Sequence, residues 1–571
     1  MVSHNMMKIF ESEESNETKE LQELLDFTDA KKSVILNNII NSIKLHDSID
    51  ISPDVYKDTG IDRWSCVLPK LEGSKLLIKR LVHNPINNPH MLSDRQNAYT
   101  IMRSKNDIDL DKLQDYEDDV LWIYKLNDEI QGNNLIYALF PSTFIISYIN
   151  YINPLLEFYQ IYKIYLTPLT VLMYPIITLL APLYYVRKFL HINLSISSYL
   201  SMLYNIFKLF ITFSGGIKAF LAKFITIAFY IFIFVYNIYQ TLEYSYLLHS
   251  VRDTLYKKIS NLNIFLKSAI DIINSFPVEI TSHFICNEGS IGQMDLSDNM
   301  TNIYKIWKDP YIKENISTLL HTIYAIDVIH SISELQWCNA NYECQNIKIW
   351  NMKNPLLHNK QTPNPVNLSK NIVITGPNAA GKTTYVKSIL SNIILAHTFG
   401  ICYANKADII LYDSISSFMR ISDVLGAKSY FEVEAEYCSK MMKKALELSQ
   451  KNKKALFLMD EPMHSTPPTE GMSTAFAVAE YIGNLQGANI IITTHFHKLI
   501  SLAETYPDKF INLCVEAIPQ EKGFHFPYTI KSGYSHQCIA IELLSSKEFP
   551  ESVIQSAINM KNKIYQELNS R

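Results

Sequence analysis

Residues 376–383, GPNAAGKT, carry the spacing GxxxxGK[ST] of a loop built to hold phosphates. Gly376 and Gly381 let the backbone curl so that successive N–H groups face an anion, and the helix start that follows adds partial positive charge. Lys382 is placed to reach the β and γ phosphates of ATP, and Thr383 to ligate Mg²⁺. Pro377, Asn378, Ala379, Ala380 and Thr384 complete the nucleotide-binding set. Two further groups could do the chemistry. Residues 455–461, ALFLMDE, end in two carboxylates: Asp460 suits the metal and its waters, and Glu461 suits polarising an attacking water. Residues 489–495, NIIITTH, end in Thr493, Thr494 and His495, polar groups able to sense a γ-phosphate. A strand ending in Asp-Glu, or a lone histidine, means little by itself; in the order loop, acidic strand, polar-tipped strand the three reinforce one another.

The elements that must position these residues read as α/β. An apolar run at 372–375 enters the loop and a helical pattern leaves it. From residue 346 to the end, short β-branched runs alternate with helices and Gly/Pro turns, the pattern of a layered α/β domain. Upstream, helical periodicity dominates, as in KKSVILNNIINSIKL and DDVLWIYKLNDEI.

The chain has 571 residues and a net charge of −4, so no global basic field advertises a nucleic-acid partner. Eight cysteines are scattered without a CxxC pair, which argues against both a disulfide framework and structural zinc and fits a reducing compartment. The polar, acidic start has no signal-peptide core. Charged residues make up 19%, and the deficit concentrates between residues 131 and 245.

The motif-bearing segments resemble the MutS family, whose ATPase domain is of ABC type. TGPNAAGKTT, LFLMDEPMHSTPPTEGMSTAFAVAEYI and ITTHFHKL are similar to its P-loop, acidic strand with D-loop, and switch strand. RLVHNPINNPHMLSDRQNAY, residues 80–99, resembles the opening of the family's helical lever domain, and AIDVIHSISEL, residues 325–335, its closing helix. The resemblance implies an α/β P-loop ATPase domain at the C-terminus preceded by an α-helical lever domain. It implies ATP and Mg²⁺ as ligands, with Lys382, Glu461 and His495 in catalytic roles and Thr383 and Asp460 at the metal. It also implies a homodimer in which Ser429 of SYFEVEAEYCSKM reaches the partner's nucleotide and Arg420 opens that region, closed by the C-terminal segment SGYSHQCIAIELLSSKEFPESVIQSAINM. DNA is a possible partner on the same ground. The expected organisation is a polar tail at 1–30, lever halves at 31–130 and 246–345 around an apolar block at 131–245, and the ATPase domain at 346–571.

Three features depart from the family pattern. The Gly-x-Gly-Thr of the D-loop is replaced by Met463, His464, Ser465 and Thr466, followed by Pro467 and Pro468. The residues ahead of the lever leave no room for mismatch-reading and connector domains, and Phe10 in IFESEES lacks the surroundings of a Phe-x-Glu reader. The apolar block stands where DNA-binding members carry their clamp.

That block holds two uncharged runs, 165–186 and 224–242, each of bilayer-spanning length and flanked by Lys and Arg. They are expected to place a transmembrane tip in a lipid bilayer, with the ATPase domain cytosolic. The loop between them carries Arg187, Lys188, Lys208, Lys218 and Lys223 and no acid, which by the positive-inside rule belongs in the cytosol. Extra spans at 135–156 and 194–216, or lysine-bearing helices lying in the interface, would each reconcile the two. A buried helical core is the alternative, as is a divergent DNA clamp using the same basic and aromatic residues. The Ile-, Asn-, Lys- and Tyr-rich composition fits AT-rich coding; together with a resemblance to short MutS-like proteins bearing membrane segments, it implies a large DNA virus or a similar genome.

Overall fold

The computed structural model describes residues 27–64, 67–105, 108–129, 138–211, 216–277, 279–286, 297–357, 361–419, 430–465, 467–520, 524–535, 537, 539–545 and 549–569. The chain divides into two compact units. One is drawn from residues 40–110, 273–288 and 321–571, the other from 1–39, 111–272 and 289–320.

In the first unit, the described strands of the main sheet are β1 (Asp50–Ile51), β2 (Asn371–Thr375), β3 (Ser414–Phe418), β4 (Ala455–Asp460), β5 (Ala488–Thr494), β6 (Phe510–Val515) and β7 (Ile530–Ser532). Their spatial order is β1-β3-β4-β5-β2-β6-β7. Every neighbouring pair is parallel except β6 with β7. β2 and β4 are buried at every position, as near-continuous apolar strands covered on both faces must be. The register puts Thr494 opposite Thr375 and Thr493 opposite Asp460, so β2, β4 and β5 end level with one another. Loops leaving the carboxyl edge of a parallel sheet are where such folds bind ligands. A second, mostly antiparallel sheet contains Asn364–Leu368 and Ile347–Met352 and takes in Cys338–Asn341, a few residues ahead of the expected start of the domain.

The helix Lys382–Phe399 leaves the phosphate loop and is buried along most of its length. Its last carbonyls have no partner within the helix. Side chains of the helix Pro89–Arg103 supply partners. Arg95 Nη1 donates to Thr398 O, Tyr99 Oη to Phe399 O at 3.1 Å, and Gln96 Nε2 to Gly400 O at 2.7 Å. The Arg95 guanidinium is fully enclosed, and burial pulls its pKa down to about 10. It remains a cation at neutral pH, where the negative end of the helix favours it.

His397, in the last turn of the same helix, is also enclosed. Its Nδ1 faces Ile86 O at 3.1 Å while Nε2 accepts from Tyr412 N at 3.2 Å, which fixes the neutral tautomer with the proton on Nδ1. Burial lowers its pKa from 6.5 to about 4. Between those values the unfolded chain takes up a proton that the folded one refuses. Stability is therefore full above about pH 6.5 and is lost progressively as pH falls to about 4. The loss attributable to this group is ~3 kcal/mol. Denaturant unfolding across that window should show the decline, and His397→Gln should flatten it; an unchanged slope in the variant would assign the decline to other groups.

The second unit is helical in its described residues. Its longest element, Gly216–Asn274, changes character part-way. From Leu248 onward Val251, Leu255, Ile259, Leu262 and Phe265 form a buried stripe at helical spacing. Lys258 pairs with Asp119 at 2.5 Å and lies over the Trp122 ring. Before that stripe the helix exposes large apolar side chains on every side, including the consecutive run Phe229, Tyr230, Ile231, Phe232 and Ile233. Thr167–Lys188 behaves likewise: Leu169, Tyr174, Ile177 and Leu180 are exposed, whereas Leu156, Gln160 and Ile164 ahead of it are buried. Both helices change at one level, where Ser245 Oγ donates to Ile164 O and the rings of Tyr165 and His249 lie 6.0 Å apart. A π-helical turn, Tyr162–Leu166, marks that level.

The two uncharged runs thus fall on helices long and apolar enough to cross a membrane, Asn153–Lys188 and Leu221–Asn274. They are not a buried core within this chain: their most apolar windows are 11% and 0% buried. In their described residues, the two extra segments form no membrane-length helix. Ile196–Ile211 has 16 residues, about 24 Å. The described part of 135–156 is broken into bends and the 3-10 turn Ile146–Tyr151.

Candidate functional site: a phosphate loop at the carboxyl edge of the sheet

The loop after β2 has the backbone its sequence requires. Gly376 has φ 143°, Ala379 φ 65° and Gly381 φ 98°. A Cβ at Gly376 would collide with the carbonyl of Val515, so glycine is needed there for close approach as well as for its dihedral. The loop opens onto a cavity of about 950 Å³ lined by Asn378, Lys382, Thr383, Asp460, Glu461 and Tyr528, among others.

Lys382 is almost fully buried and its ammonium is well supplied. Nζ donates to Gly376 O at 2.9 Å and Pro377 O at 3.3 Å, and lies 3.5 Å from Glu461 Oε1. Thr383 Oγ1 donates to Asp460 Oδ2 at 2.9 Å, and Thr493 Oγ1 donates to the other carboxylate oxygen. The two oxygens expected at a metal are thus already side by side. Among the described residues no cluster of three His, Cys, Asp or Glu side chains stands together. One carboxylate and one hydroxyl is nevertheless the donor set of a Mg²⁺ site completed by substrate phosphate and water, and the residues fit that ion.

Glu461 holds a left-handed backbone, φ 53°, with its N–H donating to Thr493 O at 3.0 Å. That turn directs its carboxylate into the cavity instead of along the strand. Oε1 lies 2.6 Å from His495 Nε2, which also lies 2.8 Å from Asn378 Oδ1. The same nitrogen lies 3.3 Å from Lys382 Nζ, so it faces two acceptors and one donor. His495, an ordinary histidine by its sequence context, therefore links the acidic strand to the loop.

The sites expected at Gly376 through Thr384, Asp460, Glu461 and His495 come together. Ser429, Arg420 and Thr466 lie outside the described residues. Tyr528, Lys387, Lys57 and Asp58 line the cavity and were missed. Lys387 lies one helical turn beyond Thr383, a spacing that places both on one face. Tyr528, Lys57 and Asp58 belong to no motif.

Residues 372–565 match the family description MutS domain V. This segment, about a third of the chain, is of the MutS family. The chain is 30% identical over 258 residues to the DNA mismatch repair protein MutS of Petrotoga mobilis, covering 42% of its own length and 30% of that protein. It is 34% identical over 201 residues to MutS of Fusobacterium nucleatum, covering 35% of this chain and 21% of the other. The DNA mismatch repair protein spellchecker 1 of Drosophila melanogaster is 30% identical over 196 residues, 34% of this chain and 21% of that protein. The matches thus span less than a third of these relatives.

MutS membership makes the departure in the D-loop interpretable. Where the family pattern has its first glycine, Met463 takes φ 61°. A left-handed non-glycine residue costs roughly 1–2 kcal/mol. The Met463 side chain is buried among Phe457, Leu499 and neighbours, which offsets that cost. Ser465, in place of the second glycine, donates through both N and Oγ to Glu434 Oε2, at 3.3 and 2.5 Å. Here the loop is held by side chains at the positions of the two glycines.

Proposed function

We propose that the chain is a MutS-type ATP hydrolase acting as a homodimer. The observation that carries this reading is the convergence of Lys382, Thr383, Asp460 and Glu461 on one cavity at the carboxyl edge of the sheet. The loop N–H groups and Lys382 would hold the phosphates of ATP. Thr383 and Asp460 would hold Mg²⁺, which when bound neutralises charge on the transferring group. Glu461, oriented by His495, would polarise the attacking water. Tyr528 offers the base a stacking face, and its carbonyl is held by Asn364 Nδ2 at 2.8 Å. Ser429 of the partner chain would complete the site.

For what the cycle acts on, the relatives' names favour DNA, as in mismatch repair or recombination. A second reading is favoured by a specific observation, the apolar helices exposed on all sides. A partner protein covers one face of a helix; a helix apolar all round suits a solvent that is itself apolar. On this reading the block at 131–245 seats in a bilayer with the ATPase domain on the cytosolic side. Both are tested on the full chain by ATPase assay with and without duplex DNA, and by liposome flotation at low and high salt. Stimulation by DNA with salt-sensitive binding supports the first. Flotation that resists high salt and yields only to detergent supports the second. No turnover of ATP under any condition would overturn the ATPase reading itself.

A further inference from the structure

The nucleotide cavity has a wall built from the N-terminal part of the chain. β1 lies beside β3, with Asp50 opposite Ser414 and Ile51 opposite Ile415. Asp50 N donates to Asp413 O at 3.1 Å and Ser52 N to Ile415 O at 3.0 Å. The helix Pro53–Thr59 follows, started by a proline and ended by Gly60 in the left-handed conformation, so its position is set at both ends. Near its end, Asp58 Oδ2 accepts from Ser417 Oγ at 2.6 Å and from Met419 N at 3.3 Å. Lys57, Asp58 and Met419 border the same cavity as Thr383, Lys387 and Asp460. Burial raises the Asp58 pKa, and the two hydrogen bonds oppose that rise.

We propose that Asp58 is a positioning residue of the nucleotide site. From far upstream of the phosphate loop it fixes the end of β3, the strand beside β4 and its Asp460, and so sets the wall against which the nucleotide seats. An acceptor that served only to anchor the helix would not need to reach the cavity. Here one carboxylate oxygen holds both a side chain and a backbone N–H of the wall. This inference rests on the ATPase reading and deepens it.

The test uses the full chain and binding of a fluorescent ATP analogue alongside kcat and KM. Asp58→Ala and Ser417→Ala should each weaken nucleotide binding by about tenfold, the scale of a lost charge-assisted hydrogen bond. Asp58→Asn, which still accepts but carries no charge, should recover most of that loss. Unchanged binding and KM in both alanine variants would overturn the proposal, whatever their melting temperatures do. Ser417→Ala keeps the test decisive if Asp58→Ala does not fold. A wild-type chain that binds no nucleotide would strike down the ATPase reading and this inference together, whereas normal wild-type binding with silent variants strikes down only the latter.

Discussion

Glu461→Gln should lower ATP turnover by a factor on the order of 10²–10⁴ while leaving nucleotide binding in place. The amide keeps the size of the carboxylate and can still face His495, but it cannot polarise water as an anion does. Lys382→Ala should lose both binding and turnover, because Nζ is the buried cation of the loop, held at Gly376 O and Pro377 O. The split between the variants is the informative result. A Gln variant that turns over at the wild-type rate would remove Glu461 from the chemistry. A Lys382→Ala chain that binds ATP normally would remove the loop. His495→Ala, by freeing the Glu461 carboxylate from its 2.6 Å partner, should fall between them.

The second large effect concerns the apolar block. Ile231 and Val235 lie one helical turn apart, near the middle of the exposed apolar part of Gly216–Asn274. Arginine at the centre of a membrane helix costs ~2.5–3.5 kcal/mol on insertion scales. Ile231→Arg with Val235→Arg should therefore lower the membrane–water partition of the full chain on the order of 10⁴-fold or more, without touching the nucleotide site. Flotation with liposomes reads the first arm, and ATP turnover in detergent reads the second. If the double variant floats as the wild type does, or if the wild type never floats, the helices meet something other than lipid.

The chemistry of the site was legible because it is written in short, fixed spacings. A loop that must wrap a phosphate has few solutions, and the runs at 372–375, 455–460 and 489–494 announce the buried parallel strands that carry the tips. The level ending of those strands, which makes three distant motifs one site, follows from sheet register and is not written in any one of them. Asp58 and Tyr528 were illegible for the same reason: their roles come from tertiary placement, and their local sequence contains no spacing that placement would impose. The lengths of the apolar helices were legible, but not the level at which exposure gives way to burial. That level depends on which neighbours reach Ile164 and Leu248. Met463 shows the opposite case, in which sequence flagged a missing glycine and the backbone kept the glycine-like conformation regardless.

The grip of Arg95, Gln96 and Tyr99 on the carbonyls at the far end of Lys382–Phe399 has a mechanical consequence. A buried helix of 18 residues, about 27 Å long, is stiff and close-packed. Its front turn carries Lys382 and Thr383, and its rear turn is tied by three separate side chains to Pro89–Arg103. A displacement of such a rod's head would be passed to the second helix at its tail, as a push rod delivers the stroke of a cam.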